Sequence, residues 1–551
     1  MQLLTSNDAS ATSPKPAASA PRSRSRLGWA VLAVALVMSA VHSDFAHALT
    51  DAELLDATQE RAFDYFWNEA NPSNGLIKDR STSGSPASIA AVGFGLSAIC
   101  VGIDHGWITR AQGRARVLTT LQTFWNGPQG DQANGFIGYN GLFYHFLDMA
   151  TATRTWSSEL SSIDTALLIA GIIDARQYFD TVDLDEVEIR NLAGSIIDRV
   201  DWNWMRASGV GIRMGWVPGS GFDGFGTWVG YNEAMVMYIL ALGSSTHPIP
   251  SFTWFTWTSG YNWATEYGQT YVVFPPLFGH QYSHCWIDYR NIHDVYMQSK
   301  GITYFENSRR ATYAAQAYCV ANPGGFVGYG ENLWGLTASD GPFGYSAHGA
   351  PPAQNDDGTI TPTAAASSIA FAPEIAIPAL QHMYNVYGPQ IWSTYGFKDA
   401  FNPTQNWVGN DYLGIDQGPI VLMIENYLNQ SVWNRFMQDP IVAQGLAQAT
   451  FTTITAIGPR ISDGRSLVLQ QNSPNPFSGS SLIRYRLAEA GHVSIALFNA
   501  RGRRVQSLFE GTKPAGDHSI VLDAESLPSG LYYYRLLANG EVIGKPCVLV
   551  R

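Results

Sequence analysis

Residues 163–179, I-D-T-A-L-L-I-A-G-I-I-D-A-R-Q-Y-F, read as a helix, and segments of this kind decide the fold class. Others are D-A-E-L-L-D-A-T-Q-E-R-A-F-D-Y-F-W (51–67), S-R-R-A-T-Y-A-A-Q-A-Y-C-V (308–320) and P-I-V-L-M-I-E-N-Y-L (419–428). They alternate with long loops rich in Gly, Pro, Trp and Asn, such as G-W-V-P-G-S-G-F-D-G-F-G (215–226). Loops this long and aromatic in a compact domain usually carry function. From Thr50 to about Ile457, roughly 400 residues at about 33 per helix and loop give about twelve helices. Twelve helices can close as six inner and six outer, so an (α/α)6 barrel, mainly α, is the expected fold.

Near residue 462 the composition changes. S-D-G-R-S marks a linker, and then S-L-I-R-Y-R-L, H-V-S-I-A-L-F-N, H-S-I-V-L and L-Y-Y-Y-R-L alternate as strands, with Gly502, Gly516 and Gly530 expected at turns. About 85 residues of this spacing point to a small immunoglobulin-like β-sandwich. At the other end, R-S-R-S-R precedes a 15-residue apolar run, Leu27–Val41, and Ala46-His47-Ala48 supplies a cleavage pattern. Together these read as a secretory signal peptide, the run being short for a membrane span. The expected division is therefore 1–48 signal peptide with a low-complexity extension, 49–458 helical catalytic domain, 459–466 linker and 467–551 β-sandwich. No stable membrane span is expected after processing.

The chain of 551 residues carries a net charge of −12. Residues 1–48 hold four of its basic and two of its acidic residues; without them 29 basic face 43 acidic residues, a net charge of −14. That balance disfavours nucleic acid, anionic lipid and polyuronate as partners. With 13% aromatic and only 14% charged residues, the surface suits a neutral, hydroxyl-rich ligand, since each ring offers a face to sugar C–H groups. Cys100, Cys285, Cys319 and Cys547 are too few for a disulfide scaffold, and one bridge of undetermined pairing is open to them.

One acid stands out. In W-V-G-Y-N-E-A-M-V-M-Y-I-L-A-L-G (228–243) the spacing predicts a helix over 232–242, with Glu233 on the face of Val236, Met237, Leu240 and Ala241, beside Trp228 and Tyr231. A carboxyl so placed responds to burial by holding its proton. Three further acids accompany it. Asp164 sits above Leu167 and Leu168, with Glu159 five residues earlier and about 140° away around a helix. Pro419 suits a first helical position, which leaves Asp416 in the preceding loop, where a helix N-terminus favours an ionised carboxylate. Glu425 follows within that helix. Each acid also has a structural reading, as a cap or an ion-pair partner. One protonated and one ionised carboxyl are, however, what glycosidic hydrolysis requires.

H-Q-Y-S-H-C offers His280 and His284 at i, i+4 with Cys285, but no third ligand group stands nearby, so packing or substrate hydrogen bonding is the stronger reading. No metal or cofactor is expected. N-D-D-G-T (355–359) reads as a turn. P-loop, dinucleotide and G-x-S-x-G motifs are absent from the sequence.

G-Y-N-E-A-M, S-S-E-L-S-S-I-D-T-A-L-L, F-G-H-Q-Y-S-H-C-W-I-D-Y-R, Y-F-E-N-S-R-R-A-T, W-G-L-T-A-S-D-G-P, D-G-T-I-T-P-T-A-A-A-S-S and G-I-D-Q-G-P-I-V-L-M-I-E-N-Y, in that family's pattern over about 50–455, resemble the bacterial glycoamylase-like family, which includes endo-β-1,2-glucanases. The resemblance implies an (α/α)6 barrel and inverting hydrolysis without a metal, with Glu233 as acid and Asp416 as base. On that reading the substrate is β-1,2-glucan, with Trp156, Glu159, Asp164, Trp228, Tyr231, His284, Trp286, Arg290 and Glu425 as further contacts. The tail L-Q-Q-N-S-P-N-P-F, G-R-R-V, A-G-D-H and S-G-L-Y-Y-Y-R-L resembles the C-terminal sorting domains of type IX secretion, which implies a secretion-machinery partner and a secreted or cell-surface location reached through the periplasm. Leu522 stands where tryptophan is expected in that pattern. Two competing classes are a noncatalytic glycan-binding protein and a helical-barrel polysaccharide lyase; the lyase would need a basic groove.

Overall fold

A computed structural model describes residues 49–350, 355–454, 467–487, 490–499, 504–524, 527–538 and 541–550. The expected signal peptide, linker and Gly502 lie outside these residues. Two compact units meet in sequence at Ile454 and Thr455.

The first unit is helical. Its principal helices are α1 (Asp51–Asn68), α2 (Ile89–Asp104), α3 (Arg110–Asn126), α4 (Ser162–Tyr178), α5 (Leu184–Arg199) and α6 (Met235–Gly243). They continue with α7 (Tyr304–Ala321), α8 (Pro362–Ala366), α9 (Pro373–His382), α10 (Gly414–Leu428), α11 (Ser431–Phe436) and α12 (Pro440–Gln448). Burial sorts them into two kinds. In α2, α4, α6, α8 and α10 nearly every residue from the start onward is buried, so these helices have protein all round. Helices α1, α3, α5, α7 and α9 bury one stripe and expose the rest.

Contacts follow the same division. Helix α2 packs on α4, α4 on α6, α6 on a helical turn at Tyr282–Cys285, that turn on α10, and α10 on both α8 and α2. The amphipathic helices lie against these: α1 on α2 and α10, α3 on α2 and α5, α5 on α4, α9 on α8 and α1, and α12 on α6. Small residues allow the closest approaches. A Cβ at Gly171 of α4 would stand 1.9 Å from the Gly93 carbonyl of α2, and one at Gly243 would meet the Ile441 carbonyl at the same distance. A larger side chain at either site would push the backbones apart.

The buried helices all begin at one end. Ser88 caps α2 by accepting from Ala91 N–H, and Ser161 caps α4 by accepting from Asp164 N–H. Short strand pairs tie the loops at that end together, Ala87–Ser88 with Phe146–Leu147 and Leu160–Ser161 with Gly215–Trp216. The candidate site lies there.

The aromatic content serves the core more than a ligand. Trp202, Trp254, Trp257, Trp286, Trp334 and Trp433 are fully buried. The four cysteines are buried and free, so the open possibility of one bridge is closed.

The second unit is all β. An antiparallel sheet of Leu467–Leu469, Ser480–Leu487 and Gly516–Asp523 accompanies one of Arg504–Lys513, Gly491–Asn499, Gly530–Ala538 and Glu541–Leu549, in those orders. Alternate residues turn inward: Ile483, Tyr485 and Leu487 from one strand, Tyr532, Tyr534 and Leu536 from another. Leu522 is fully buried among them. Gly516 and Gly530 open strands instead of occupying turns, with φ of 120° and 156°.

Candidate active site

Glu233 does not lie inside a helix. Helix α6 starts at Met235, and Glu233 occupies the turn before it. Two side chains set that start. Asn232 Oδ1 accepts from Ala234 N–H at 2.9 Å, and Ser283 Oγ accepts from Val236 N–H at 2.9 Å while donating to the Glu233 carbonyl at 3.0 Å. Ser283 is distant in sequence, so the periodicity could not reveal this stop. The carboxyl is enclosed by protein but keeps part of its surface open. Burial pushes it up to about 7, a backbone hydrogen bond offsets part of this, and the Asp164 charge adds to the rise.

Asp416 also moves relative to expectation. Helix α10 begins at Gly414, whose N–H bonds the Asp79 carbonyl at 2.8 Å, so Asp416 is in the first turn and Pro419 lies inside the helix. The N-terminal position was expected to keep it ionised. It does not, because the helix end is worth about 0.3–1 kcal/mol, less than one pKa unit (about 1.4 kcal/mol). Burial of a carboxyl can shift it by several units. Burial first, and then the charge of Asp399, hold Asp416 well above the usual carboxylate range. Asp399, absent from the sequence reading, is pushed up to about 7 by burial. It lies in a loop, K-D-A-F-N, without a motif to mark it.

Asp164 stands in the first turn of α4, hydrogen bonded to Ser161 Oγ. Glu159 reaches the same place because it precedes the helix and so escapes helical geometry. His145 joins them, with Nδ1 2.9 Å from Glu159 Oε1 and Nε2 3.6 Å from Asp164 Oδ2. Burial alone would lower His145, but Asp164, Glu159 and Asp79 hold its imidazolium up at about 9. In return His145 keeps Glu159 below its ordinary value against the effect of burial. Arg80 completes the charged floor, 3.1 Å from Asp340 and 3.7 Å from Asp411.

These groups belong to one cluster. Asp164 acts on both Glu233 and Asp79, and Asp79 acts on Asp416. Buried Tyr282 feels both Asp416 and Glu233. Tyr345 is 45% exposed, yet its hydroxyl feels Asp416, Asp399, Asp79 and Asp340, which places it beside the acids.

Rings adjoin the cluster. Trp156 is 67% exposed, held at φ 54° and edge-on to Phe146 at 5.2 Å. Phe146 stacks on His145 at 3.9 Å, which ties Trp156 to the acids. Half-buried Trp228 donates Nε1–H to Ser162 Oγ at 2.9 Å, at the start of α4.

Five expected contacts are buried in the core or tied to other partners. Tyr231 is buried against Tyr304, Trp257 and His280. His284 is buried with Nε2 3.0 Å from Ser308 Oγ, and burial lowers it to about 3. Trp286 is fully buried and donates to Ser97 Oγ. Arg290 pairs with Asp288, bonds Gln430 and lies over the Trp433 ring, near the far end of α10. Glu425 accepts from Gln59, Asn429 and Ser431 and pairs with His105 at 2.8 Å, which makes it a tie between helices. His280 bonds the Phe274 carbonyl and, like His284, is lowered to about 3 by burial.

The site thus joins an acid held up near neutrality and a second carboxyl pair in one charged cluster, and paired carboxyls are the groups glycosidic hydrolysis uses. Residues 226–440 match the family described as "Putative glucoamylase", and residues 473–549 match a secretion system C-terminal sorting domain. An endo-beta-1,2-glucanase from Chitinophaga pinensis, solved with sophorotriose and glucose, is 32% identical with a TM-score of 0.68, over 74% of this chain and 99% of that one. A beta-1,2-glucanase structure from Parabacteroides distasonis is 31% identical with a TM-score of 0.68, over 73% of this chain and 60% of that one. An exo beta-1,2-glucooligosaccharide sophorohydrolase (non-reducing end) of Parabacteroides distasonis is 33% identical over 434 residues, which are 73% of this chain. The chain spans 58% of that relative's length. The chain belongs to the glycoamylase-like family. Its sorting domain addresses it to the cell surface or the extracellular space, and among the described residues no helix is long and apolar enough to cross a membrane.

Proposed function

We propose that the chain is an exported glycoside hydrolase acting on β-1,2-glucan, with inverting general acid/base chemistry in the acid-floored cleft. The observation that carries this is Glu233, a partly open carboxyl held up to about 7 by burial at the start of α6. Glu233 gives its proton to the leaving glycosidic oxygen as the C1–O bond breaks. A water oxygen bonds C1 from the opposite face, and its proton passes to Asp416. Glu159, Asp164 and His145 form a fixed charged wall, and Trp156 and Trp228 offer ring faces to the sugar. The dominance of acids over Arg80 and His145 supports a neutral substrate and opposes a polyuronate lyase.

The names of the relatives support the β-1,2 linkage. The buried helices α2, α4, α6, α8 and α10, with the Tyr282–Cys285 turn as sixth member, are the inner ring of an (α/α)6 barrel in this reading. The tail is an immunoglobulin-like module that engages the secretion machinery, with the domain limits 1–48, 49–458, 459–466 and 467–551. Purified protein incubated with linear β-1,2-, β-1,3-, β-1,4- and α-1,4-glucans, followed by product sizing, tests the substrate. Cleavage of β-1,2-glucan alone is expected. Sophorose as the sole early product means exo action, and a ladder means endo action. No cleavage with retained glucan binding would replace the hydrolase by a binding protein.

A further inference from the structure

We infer that Asp399 and Asp416 share one proton and form a single-charge base, in which Asp399 is a positioning residue for Asp416. The role in catalysis rests on the reading of Asp416 as base; the shared proton does not. Both carboxyls are buried, at 2% exposure each. Asp399 is fixed from two sides: its Oδ2 accepts Asp340 N–H at 2.8 Å, and its own N–H donates to the Asp411 carbonyl at 3.1 Å. Its other oxygen, Oδ1, and Asp416 Oδ2 are buried atoms with no donor of their own among the described residues. The two carboxyls meet side chain to side chain in hydrogen-bond contact. Two carboxylates are both acceptors, so that contact requires a proton between them. Supplying it gives one oxygen of each carboxyl a partner.

Surrounding charge decides where the proton rests. The Asp340 charge presses on both carboxyls, but Asp399 alone has the Asp340 N–H and Arg80 to favour its anion, whereas Asp416 also feels the charge of Asp79. Tyr345 and Tyr282 face Asp416 as neutral phenols. The resting proton therefore sits on Asp416 and is donated to Asp399. When water attacks C1, an O–H bond of water breaks and its proton goes to Asp416. The proton Asp416 already held moves onto Asp399. The pair ends neutral and returns one proton to solvent when product leaves. Such a pair titrates as a unit and not as two independent acids.

Infrared titration of the full-length protein carrying carboxyl-13C aspartate, without substrate, reads the proton directly. At pH 8 the wild type should show a protonated aspartate band. Asp399→Asn and Asp416→Asn should each remove that band, because the remaining carboxyl loses its like-charged neighbour and gains an amide donor. Asp399→Ser gives the same reading if the Asn variant does not fold. A band that survives in both Asp399 variants would overturn the inference, since burial alone would then protonate Asp416. A wild type without a variant-sensitive band would overturn it too. Failure to cleave any glucan would remove the hydrolase reading and leave this proton in place.

Discussion

Raising the pH from 6 to 8 should switch off the proposed acid, and the size of the effect follows from Glu233. A carboxyl titrating at about 7 is roughly 90% protonated at pH 6 and roughly 10% at pH 8, whereas one at its ordinary value would be only about 3% protonated at pH 6. Burial thus supplies about thirty times more acid at pH 6 than an exposed glutamate would. kcat/KM on linear β-1,2-glucan should fall about tenfold between pH 8 and pH 9, where the Asp399–Asp416 pair already carries its single charge and only the acid is being lost, read from initial rates of reducing-end release. Stability gives an independent reading of the same group. Its folded value is raised above the unfolded one, so its contribution is fully present below about pH 4.5 and is lost as pH rises through about 7. Glu233→Gln, which cannot ionise, should therefore melt above the wild type at pH 8 and show no such advantage at pH 4. The open face of the carboxyl reduces this gain. A kcat/KM that stays flat from pH 8 to 9 in a folded protein, with no pH-dependent difference in Tm, would refute the assignment of a raised Glu233.

Other outcomes follow from named contacts. Glu425→Gln should lower stability by about 3 kcal/mol, because it breaks a buried charged pair with His105 and weakens several hydrogen bonds; a Tm within a degree of wild type would contradict this. Glu425 is held below its ordinary value and His105 above its own, so the pair's stabilisation is lost as pH falls through the lowered Glu425 value and weakens as pH rises through the raised His105 value. Trp156→Ala should raise KM about three- to tenfold with little change in kcat, as expected for one lost ring face of about 1 kcal/mol; an unchanged KM would remove Trp156 from the site. The chain ended at residue 460 should keep its turnover on short glucans, since the helical unit has its own core. Loss of that turnover would mean the β unit completes the site.

The helical character of the first unit and the β character of the second were legible because hydrophobic period changes sharply near residue 462. Glu233 was legible as an acid among apolar neighbours, but the start of its helix depends on Ser283, which reaches it only through the fold. Asp416 was found, but its charge state was misread because burial outweighs the helix end, and the next contributor, Asp399, is brought in by a loop without a motif. His145 escaped notice as a lone histidine in F-Y-H-F, although S-S-E-L-S-S-I-D is the segment that surrounds it. Glu425 is set apart from the site once the helix is seen to begin at Gly414 and to include Asp416. Nine residues from Asp416 along one helix is about 13 Å and half a turn round, which points it toward the opposite end. Tyr231, His284 and Trp286 show why aromatic composition misleads. Rings that could stack on sugar are equally good core, and the fully buried tryptophans of this chain went there.

The central claim is that Glu233 delivers the proton and Asp416 receives one. It is tested most directly by the turnover of β-1,2-glucan by Glu233→Gln and Asp416→Asn, measured together with glucan affinity and Tm. Both variants should stay folded and bind glucan within a fewfold of wild type, while turnover falls about 10²–10⁴-fold, the usual worth of general acid–base catalysis. A folded Glu233→Gln protein that cleaves β-1,2-glucan at the wild-type rate would contradict the account.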